Sequence, residues 1–250
     1  HPEPAKRRHR SWLKQSVLEH KADFGIALAG DAARLGIVDD QGNMILPDRL
    51  SLLFVEDILK KKPGATFIFD VKCTDVLNNF IQQQGGIAHR IATGHTSMKK
   101  AIRETNAPFA TELSGHILFN DEYGLGVDDG IYAGLRLCQL VSEQSLSLSQ
   151  RLSVFPNPVS TEEIQLPVKD SDKFSIMGLI QSHGFKDHDK HTIDGVRVQF
   201  DHGWALVRAS NTTPCLTLRF EASTQDHLDR IQSSVMAELH RIIPNLSETQ

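Results

Sequence analysis

Hydrophobic and polar positions follow two textures along this chain, and they meet near residue 145. In the first, short apolar runs trade places with amphipathic segments. Residues 11–20 set Trp12, Leu13, Val17 and Leu18 near helical spacing. Phe24 to Leu28 reads as a short buried strand and Leu35 to Val38 as its returning partner, with Asp40-Gln41-Gly42-Asn43 as a hairpin turn. Pro47 opens a helix through Leu59, with Leu50, Leu53, Phe54, Ile58 and Leu59 on one face and Pro63-Gly64 at its end. Strand patterns at 66–71 and 87–91 then alternate with helix patterns at 75–84 and 97–104. Phe109 and Ala110 lead into a loop, and residues 128–142 form a long helix offering Ile131, Leu135, Leu137 and Val141 for packing. Strands alternating with helices of this length predict βαβ units and a mainly parallel sheet.

The second texture is richer in long strands. Residues 145–149, with three serines, and Phe155-Pro156-Asn157-Pro158 read as an interdomain linker. Beyond it the pattern predicts a strand at 163–168, a helix at 173–183, strands at 192–200, 204–209 and 215–222, and a last helix from about Thr224 to Ile242. That order describes an α+β unit in which two helices cover a small four-stranded antiparallel sheet.

Composition narrows the class. With 250 residues, 40% hydrophobic and 23% charged, the chain suits about two globular domains. No apolar run approaches the ~20 residues that cross a bilayer, and no apolar signal segment opens the sequence. A net charge of -4 provides no global field for nucleic acid. The basic cluster Lys6, Arg7, Arg8 and Arg10 reads as a solvated helix start. Cys73, Cys138 and Cys215 stand singly in apolar segments, as buried thiols of a reducing cytosol would. The expected location is therefore cytoplasmic. The opening His1-Pro2-Glu3-Pro4 is an abrupt start and predicts further sequence upstream.

The most informative local segment is Arg208-Ala209-Ser210-Asn211-Thr212-Thr213-Pro214, set between two strong strands. It combines a guanidinium fork, hydroxyls, an amide and turn-forming residues whose N–H groups can converge on an anion. A phosphate loop and a plain polar hairpin both fit these residue types.

This segment resembles the phosphate-binding domain of the α-D-phosphohexomutase superfamily, and it comes with Thr192-Ile193-Asp194-Gly195-Val196-Arg197 and Gly203-Trp204 ahead of it. The bacterial phosphomannomutase/phosphoglucomutase branch is the nearest. Phe69-Asp70-Val71-Lys72-Cys73-Thr74, Thr93-Gly94-His95, Glu112-Leu113-Ser114-Gly115-His116 and Asp128-Asp129-Gly130-Ile131-Tyr132 resemble that family's motifs in its order, as do Pro47-Asp48-Arg49-Leu50 and the opening four residues. The resemblance implies three successive regions. Residues 1–46 would be the end of a metal-loop domain, 47–150 a sugar-binding α/β domain, and 151–250 the phosphate-binding α+β domain. It also implies roles. Glu112 and Ser114, with His116 beside them, would bind sugar hydroxyls. His95 and Lys72 would line the same cleft and assist proton transfer, although Thr93-Gly94-His95 taken alone reads as a structural histidine. Arg208, Ser210, Asn211 and Thr212 would hold the phosphate that is not transferred, and Arg34 and Arg49 would add positive charge near the one that is.

The departures fall on one side of the chemistry. The family's metal loop carries three aspartates that hold Mg²⁺; here it reads Ala29-Gly30-Asp31-Ala32-Ala33-Arg34, leaving Asp31 as the one acidic ligand. Mg²⁺ demands several hard oxygens near octahedral positions, so Mg²⁺ binding is expected to be weak or absent. The family's phosphoserine loop is missing from this sequence. Ala92 stands where a lysine often precedes the Thr-Gly-His motif, and Thr111 where a glycine precedes the Glu-x-Ser-Gly-His motif. The expected ligands are hexose phosphates, bound without turnover by the chain itself. Three explanations follow: a fragment or engineered form of an active mutase, a natural pseudoenzyme that senses sugar phosphates, or a structural partner of a missing N-terminal portion or another chain. Neither nucleic acid nor membrane is an expected partner.

Overall fold

The computed structural model describes residues 11–244, so the expectations for His1 to Pro4 and for the basic cluster at Lys6 to Arg10 lie outside the described residues. The chain divides into two compact units, His1–Pro156 and Asn157–Gln250.

The first unit opens with helix α1 (Ser11–His20) and a three-stranded antiparallel sheet, β1 (Phe24–Leu28), β2 (Leu35–Asp39) and β3 (Met44–Ile45), in that order. Helix α2 (Pro47–Lys61) follows. A five-stranded sheet then forms from β4 (Thr66–Asp70), β5 (Ile87–Ile91), β6 (Phe109–Thr111), β7 (Ile117–Phe119) and β8 (Val127–Asp128). Its helices are α3 (Asp75–Gln83), α4 (His95–Thr105) and α5 (Gly130–Ser142), and the short α6 (Leu148–Ser153) closes the unit. The spatial order is β5-β4-β6-β7-β8. Only β4 pairs in parallel, with β5 and with β6; β6-β7 and β7-β8 are antiparallel. The mainly parallel sheet expected from the pattern is therefore a mixed one. Its antiparallel half carries no periodic signal in the sequence because β7 and β8 are only three and two residues long.

One buried cluster joins the two sheets. Leu35, Ile37 and Ile45 pack with the α2 residues Leu50, Leu53, Phe54 and Ile58, and with Phe67, Phe109, Phe119, Leu137 and Leu148. Phe54, Phe109 and Phe119 meet at centroid distances of 5.1–5.8 Å, inside the range where aromatic pairs add to simple burial.

Several expectations change here. β1 is an edge strand that pairs only with β2 among the described residues, so Ile26 is exposed and the strand is not buried. In α1 only Val17 is buried, and Trp12 is 85% exposed. Asp129 caps α5 by accepting the Tyr132 N–H at 2.9 Å, which starts the helix at Gly130 and leaves Asp128 in β8. The buried stripe of α5 is Ala133, Leu137 and Leu140, while Ile131, Leu135 and Cys138 face outward. Cys138 is thus not a buried thiol, unlike Cys73 and Cys215. The serine-rich stretch read as a linker folds as α6, because Ser147 and Gln150 form a capping box around its first turn.

The second unit holds β9 (Val159–Ser160), β10 (Ile164–Pro167), α7 (Lys173–His183), β11 (Lys190–His191), β12 (Val196–Phe200), β13 (Gly203–Ala209), β14 (Cys215–Ala222) and α8 (Gln225–Ile242). Its antiparallel sheet runs β10-β14-β13-β12-β11, with β9 also on β14. The four expected strands are present, widened by the two-residue β9 and β11. Val196, Val198, Ala205, Val207, Leu216, Leu218 and Phe220 alternate onto one face and pack with Met177 and Ile180 of α7 and Ile231, Val235 and Leu239 of α8.

Candidate functional site

In the first unit the chemistry gathers on loops that leave the ends of β4, β6 and β5. Asp70, the last residue of β4, is fully buried and ties three of these loops together. Its carboxylate accepts from Cys73 Sγ at 3.1 Å, from Thr93 Oγ1 at 3.1 Å and from the Leu113 N–H at 3.4 Å. Lys72 Nζ lies 3.7 Å from both Asp70 Oδ2 and Glu112 Oε1. Ser114 Oγ donates to the same Glu112 Oε1 at 2.8 Å. The other oxygen, Glu112 Oε2, is buried with no hydrogen-bond partner among the described residues. Burial pushes the Glu112 carboxyl above its ordinary range and the charge of Asp70 pushes the same way, against Lys72, Ser114 and the Gly94 amide.

The turn that carries Glu112 and Ser114 is held against the loop at Ala29 to Arg34. The Leu35 N–H donates to Gly115 O at 2.9 Å, and Arg34 bridges His116 through the backbone. Gly115 has φ +106°, and a Cβ there would lie 2.8 Å from Leu35 O. The close approach of the two chains therefore requires glycine at this position. His116 sits at the end of the turn. Burial lowers its pKa, with Asp128 opposing and the charges of His95 and Arg34 adding to the fall.

His95 is not on a loop but in the first turn of α4, after Gly94. Its ring stacks on His116 at a centroid distance of 5.3 Å. Both Nδ1 atoms approach Asp128 Oδ2, at 3.1 Å from His95 and 3.0 Å from His116, while Lys99 Nζ pairs with Asp128 Oδ1. Contacts thus link Lys72, Glu112, Ser114, His116 and His95 in one chain. Arg49 stands apart from them: its guanidinium donates to the carbonyls of Leu152, Phe155 and Pro156 at 2.6–3.3 Å and caps the end of α6.

The loop at Ala29 to Arg34 is compact. The Ala32 N–H donates to Ala29 O, Ala32 itself has φ +56°, and the Gly130 N–H donates to Ala32 O at 2.9 Å. Asp31 is exposed, and its Oδ1 accepts the Ala33 N–H at 3.1 Å. Among the described residues no three His, Cys, Asp or Glu side chains converge on a point that could hold a metal. One carboxylate, partly committed to its own turn, does not fit a hard octahedral cation.

The second unit carries the other cluster. Arg208, one residue before the end of β13, is 6% exposed, and its Nε donates to Asp194 Oδ2 at 3.1 Å, leaving a buried Nη2 without a hydrogen-bond partner among the described residues. Ser210 Oγ folds the following turn: it lies 2.7 Å from Thr213 Oγ1 and accepts the Thr213 N–H at 3.2 Å. Asn211 and Thr212 are exposed at its tip. Gly195 makes the approach of Asp194 possible, since a Cβ there would lie 2.2 Å from Val207 O. Lys173, buried at the start of α7, reaches Thr213 O at 3.4 Å and Asp170 Oδ1 at 2.7 Å.

Residue types alone missed Asp70, Lys99, Asp128, Lys173 and Asp194. Asp70, Asp128 and Asp194 stood inside the quoted motifs without a role, and Lys99 lies one helical turn after His95, where an i,i+4 partner belongs.

Solved structures define the fold class. A phosphoglucomutase/phosphomannomutase family protein of Burkholderia thailandensis superposes with a TM-score of 0.92 at 38% identity, over 99% of this chain and 53% of that one. Aspergillus fumigatus N-acetylphosphoglucosamine mutase, in a complex with glucose 1,6-bisphosphate, shares the fold at a TM-score of 0.62 and 16% identity, over 87% of this chain and 48% of that one. The fold is that of the phosphohexomutases. Two family patterns then match in succession: the phosphoglucomutase/phosphomannomutase α/β/α domain III over residues 46–158 and the C-terminal domain over residues 163–238. The phosphomannomutase/phosphoglucomutase of Pseudomonas syringae pv. tomato is 45% identical over 247 residues, 98% of this chain and 53% of that protein. The chain belongs to the phosphoglucomutase/phosphomannomutase family, and it spans about half the length of the curated relatives it matches.

Proposed function

We propose that this chain binds hexose phosphates, glucose or mannose 1- or 6-phosphate or the 1,6-bisphosphate, and does not interconvert them by itself. Its successive regions, 1–46, 47–150 and 151–250, would correspond to the end of a metal-loop domain, a sugar-binding domain and a phosphate-binding domain. The observation that carries the reading is a pair of buried polar atoms left without partners among the described residues, Glu112 Oε2 in one unit and Arg208 Nη2 in the other. Such atoms are costly unless something pairs with them. Their chemistry differs in the useful direction: a carboxylate accepts from sugar hydroxyls, and a guanidinium aimed by Asp194 donates to phosphate oxygens.

Phosphoryl transfer needs a nucleophile and metal-stabilised charge. The sequence has no phosphoserine loop of the family's type, and Asp31 alone does not fit Mg²⁺. Cytoplasmic residence accords with a sugar-phosphate ligand and with the absence, among the described residues, of a helix long and apolar enough to cross a membrane. A second reading, packing against a polypeptide that supplies the rest of the family's fold, draws on the outward Ile131 and Leu135 of α5 and the neighbouring Ile26.

Titration calorimetry with glucose 1,6-bisphosphate separates the two readings. Binding should give heat, and Arg208→Ala should weaken it by roughly tenfold or more, the loss of a charge-assisted hydrogen bond. No heat at millimolar ligand would leave only the packing reading.

A further inference from the structure

Asp128 is the point on which the histidines of the first unit converge, and the binding reading gives it no role. Its Oδ2 faces two imidazole nitrogens, His95 Nδ1 at 3.1 Å and His116 Nδ1 at 3.0 Å. Its Oδ1 is paired with Lys99 Nζ. The side chain is 8% exposed, so these neighbours replace most of its water. Burial raises the Asp128 carboxyl, but the hydrogen bond and charge of Lys99 and the charge of His116 outweigh it and keep the pKa below the ordinary range. Asp128 is therefore an anion at neutral pH, and a carboxylate anion only accepts hydrogen bonds.

We infer that Asp128 is a positioning residue that fixes both imidazoles with Nδ1 protonated, leaving Nε2 of each neutral ring as the atom that accepts a hydrogen bond from a ligand hydroxyl. The rule is general: the bond made by one ring nitrogen decides the state of the other. At His116 the 3.0 Å approach to Asp128 is an ion-pair contact that does not meet hydrogen-bond geometry, so the carboxylate acts there through its charge. That buried Nδ1 has no competing hydrogen-bond partner among the described residues, so Asp128 alone sets its state. At His95, Lys99 Nζ lies 3.3 Å from the same nitrogen. The ammonium makes its shorter contact with Asp128 Oδ1, and the ring nitrogen lies nearer to Asp128 Oδ2 than to Lys99 Nζ. The groups that face these rings are Asp128 from β8, Lys99 from α4, Arg34 from the loop after β1, and each other. Glu112 and Ser114 lie in the turn that ends at His116, so the acceptor nitrogen belongs to the same loop as the hydroxyl-binding pair.

The inference deepens the hexose-phosphate reading and rests on it only for the identity of the ligand. Its test needs no ligand, so the two stand or fall separately. Long-range ¹H–¹⁵N correlation of the histidine rings, assigned with His95→Gln and His116→Gln, reads the tautomer directly above the histidine titration. Both rings should carry hydrogen on Nδ1. In Asp128→Ala they should shift toward the Nε2–H form, and the His116 pKa should fall by about one pH unit with the loss of a close opposite charge. An Nε2–H tautomer in the unaltered chain, or rings unchanged in Asp128→Ala, overturns the assignment. Should Asp128→Ala fail to fold, Asp128→Asn keeps shape and one acceptor oxygen while removing the charge. It should lower the His116 pKa and retain Nδ1–H; an unchanged pKa contradicts the proposal. Lys99→Met should move the His116 pKa the opposite way, because the whole of the Asp128 charge then falls to the rings.

Discussion

On the proposed reading, Glu112 serves a ligand at the expense of the fold. A carboxyl whose folded pKa is raised contributes its stability at low pH and loses it as pH rises through the folded pKa. Burial and Asp70 raise Glu112 from 4.5, so stability should decline as pH climbs above that value. Glu112→Gln removes the titration. Its melting temperature should lose this share of the decline and exceed that of the unaltered chain at neutral pH, while hexose-phosphate binding weakens. Parallel melting curves against pH would contradict the account. Single residues were also where the sequence was least complete. The motif around Glu112, Ser114 and His116 was legible as a resemblance, but not that Gly115 is needed because its Cα passes under Leu35 O. The positions of Asp70 and Asp194 depend on folded contacts 43 and 14 residues away in the chain, which local pattern does not encode.

At the level of helices and strands, long periodic segments were legible and short ones were not. α2, with its apolar stripe and its proline start, and α8, capped by Thr224, fall where the pattern puts them. β7, β8, β9 and β11 have too few residues to show a period. α6 was obscured by composition, because serine favours loops in general yet caps helices in particular. Its capping box is reinforced by Asp40, which accepts from both the N–H and the hydroxyl of Ser149 at 2.8 Å, and by Arg49 at the other end. Arg49 is consequently held in the architecture of the first unit. Ser147→Ala should cost about 1 kcal/mol of unfolding free energy, read from the denaturant midpoint of the unit at constant slope. A change within a few tenths of a kcal/mol would mean that Arg49 and Asp40 hold α6 without its cap.

Over the whole chain, two units with separate cores carry different sets of polar groups. The first holds the carboxylate, hydroxyl and imidazole groups that suit a sugar, and the second the arginine-led turn that suits a phosphate. The fold class was legible because several motifs recur in the family's order along nearly the whole sequence. The central claim is that both units retain their grip on one class of ligand. The most direct measurement is a ¹H–¹⁵N titration of the backbone with glucose 1,6-bisphosphate. Amides of residues 112–116 in the first unit and of 208–213 in the second should each shift as ligand is added. Amides that remain unmoved in both segments at millimolar ligand would contradict it.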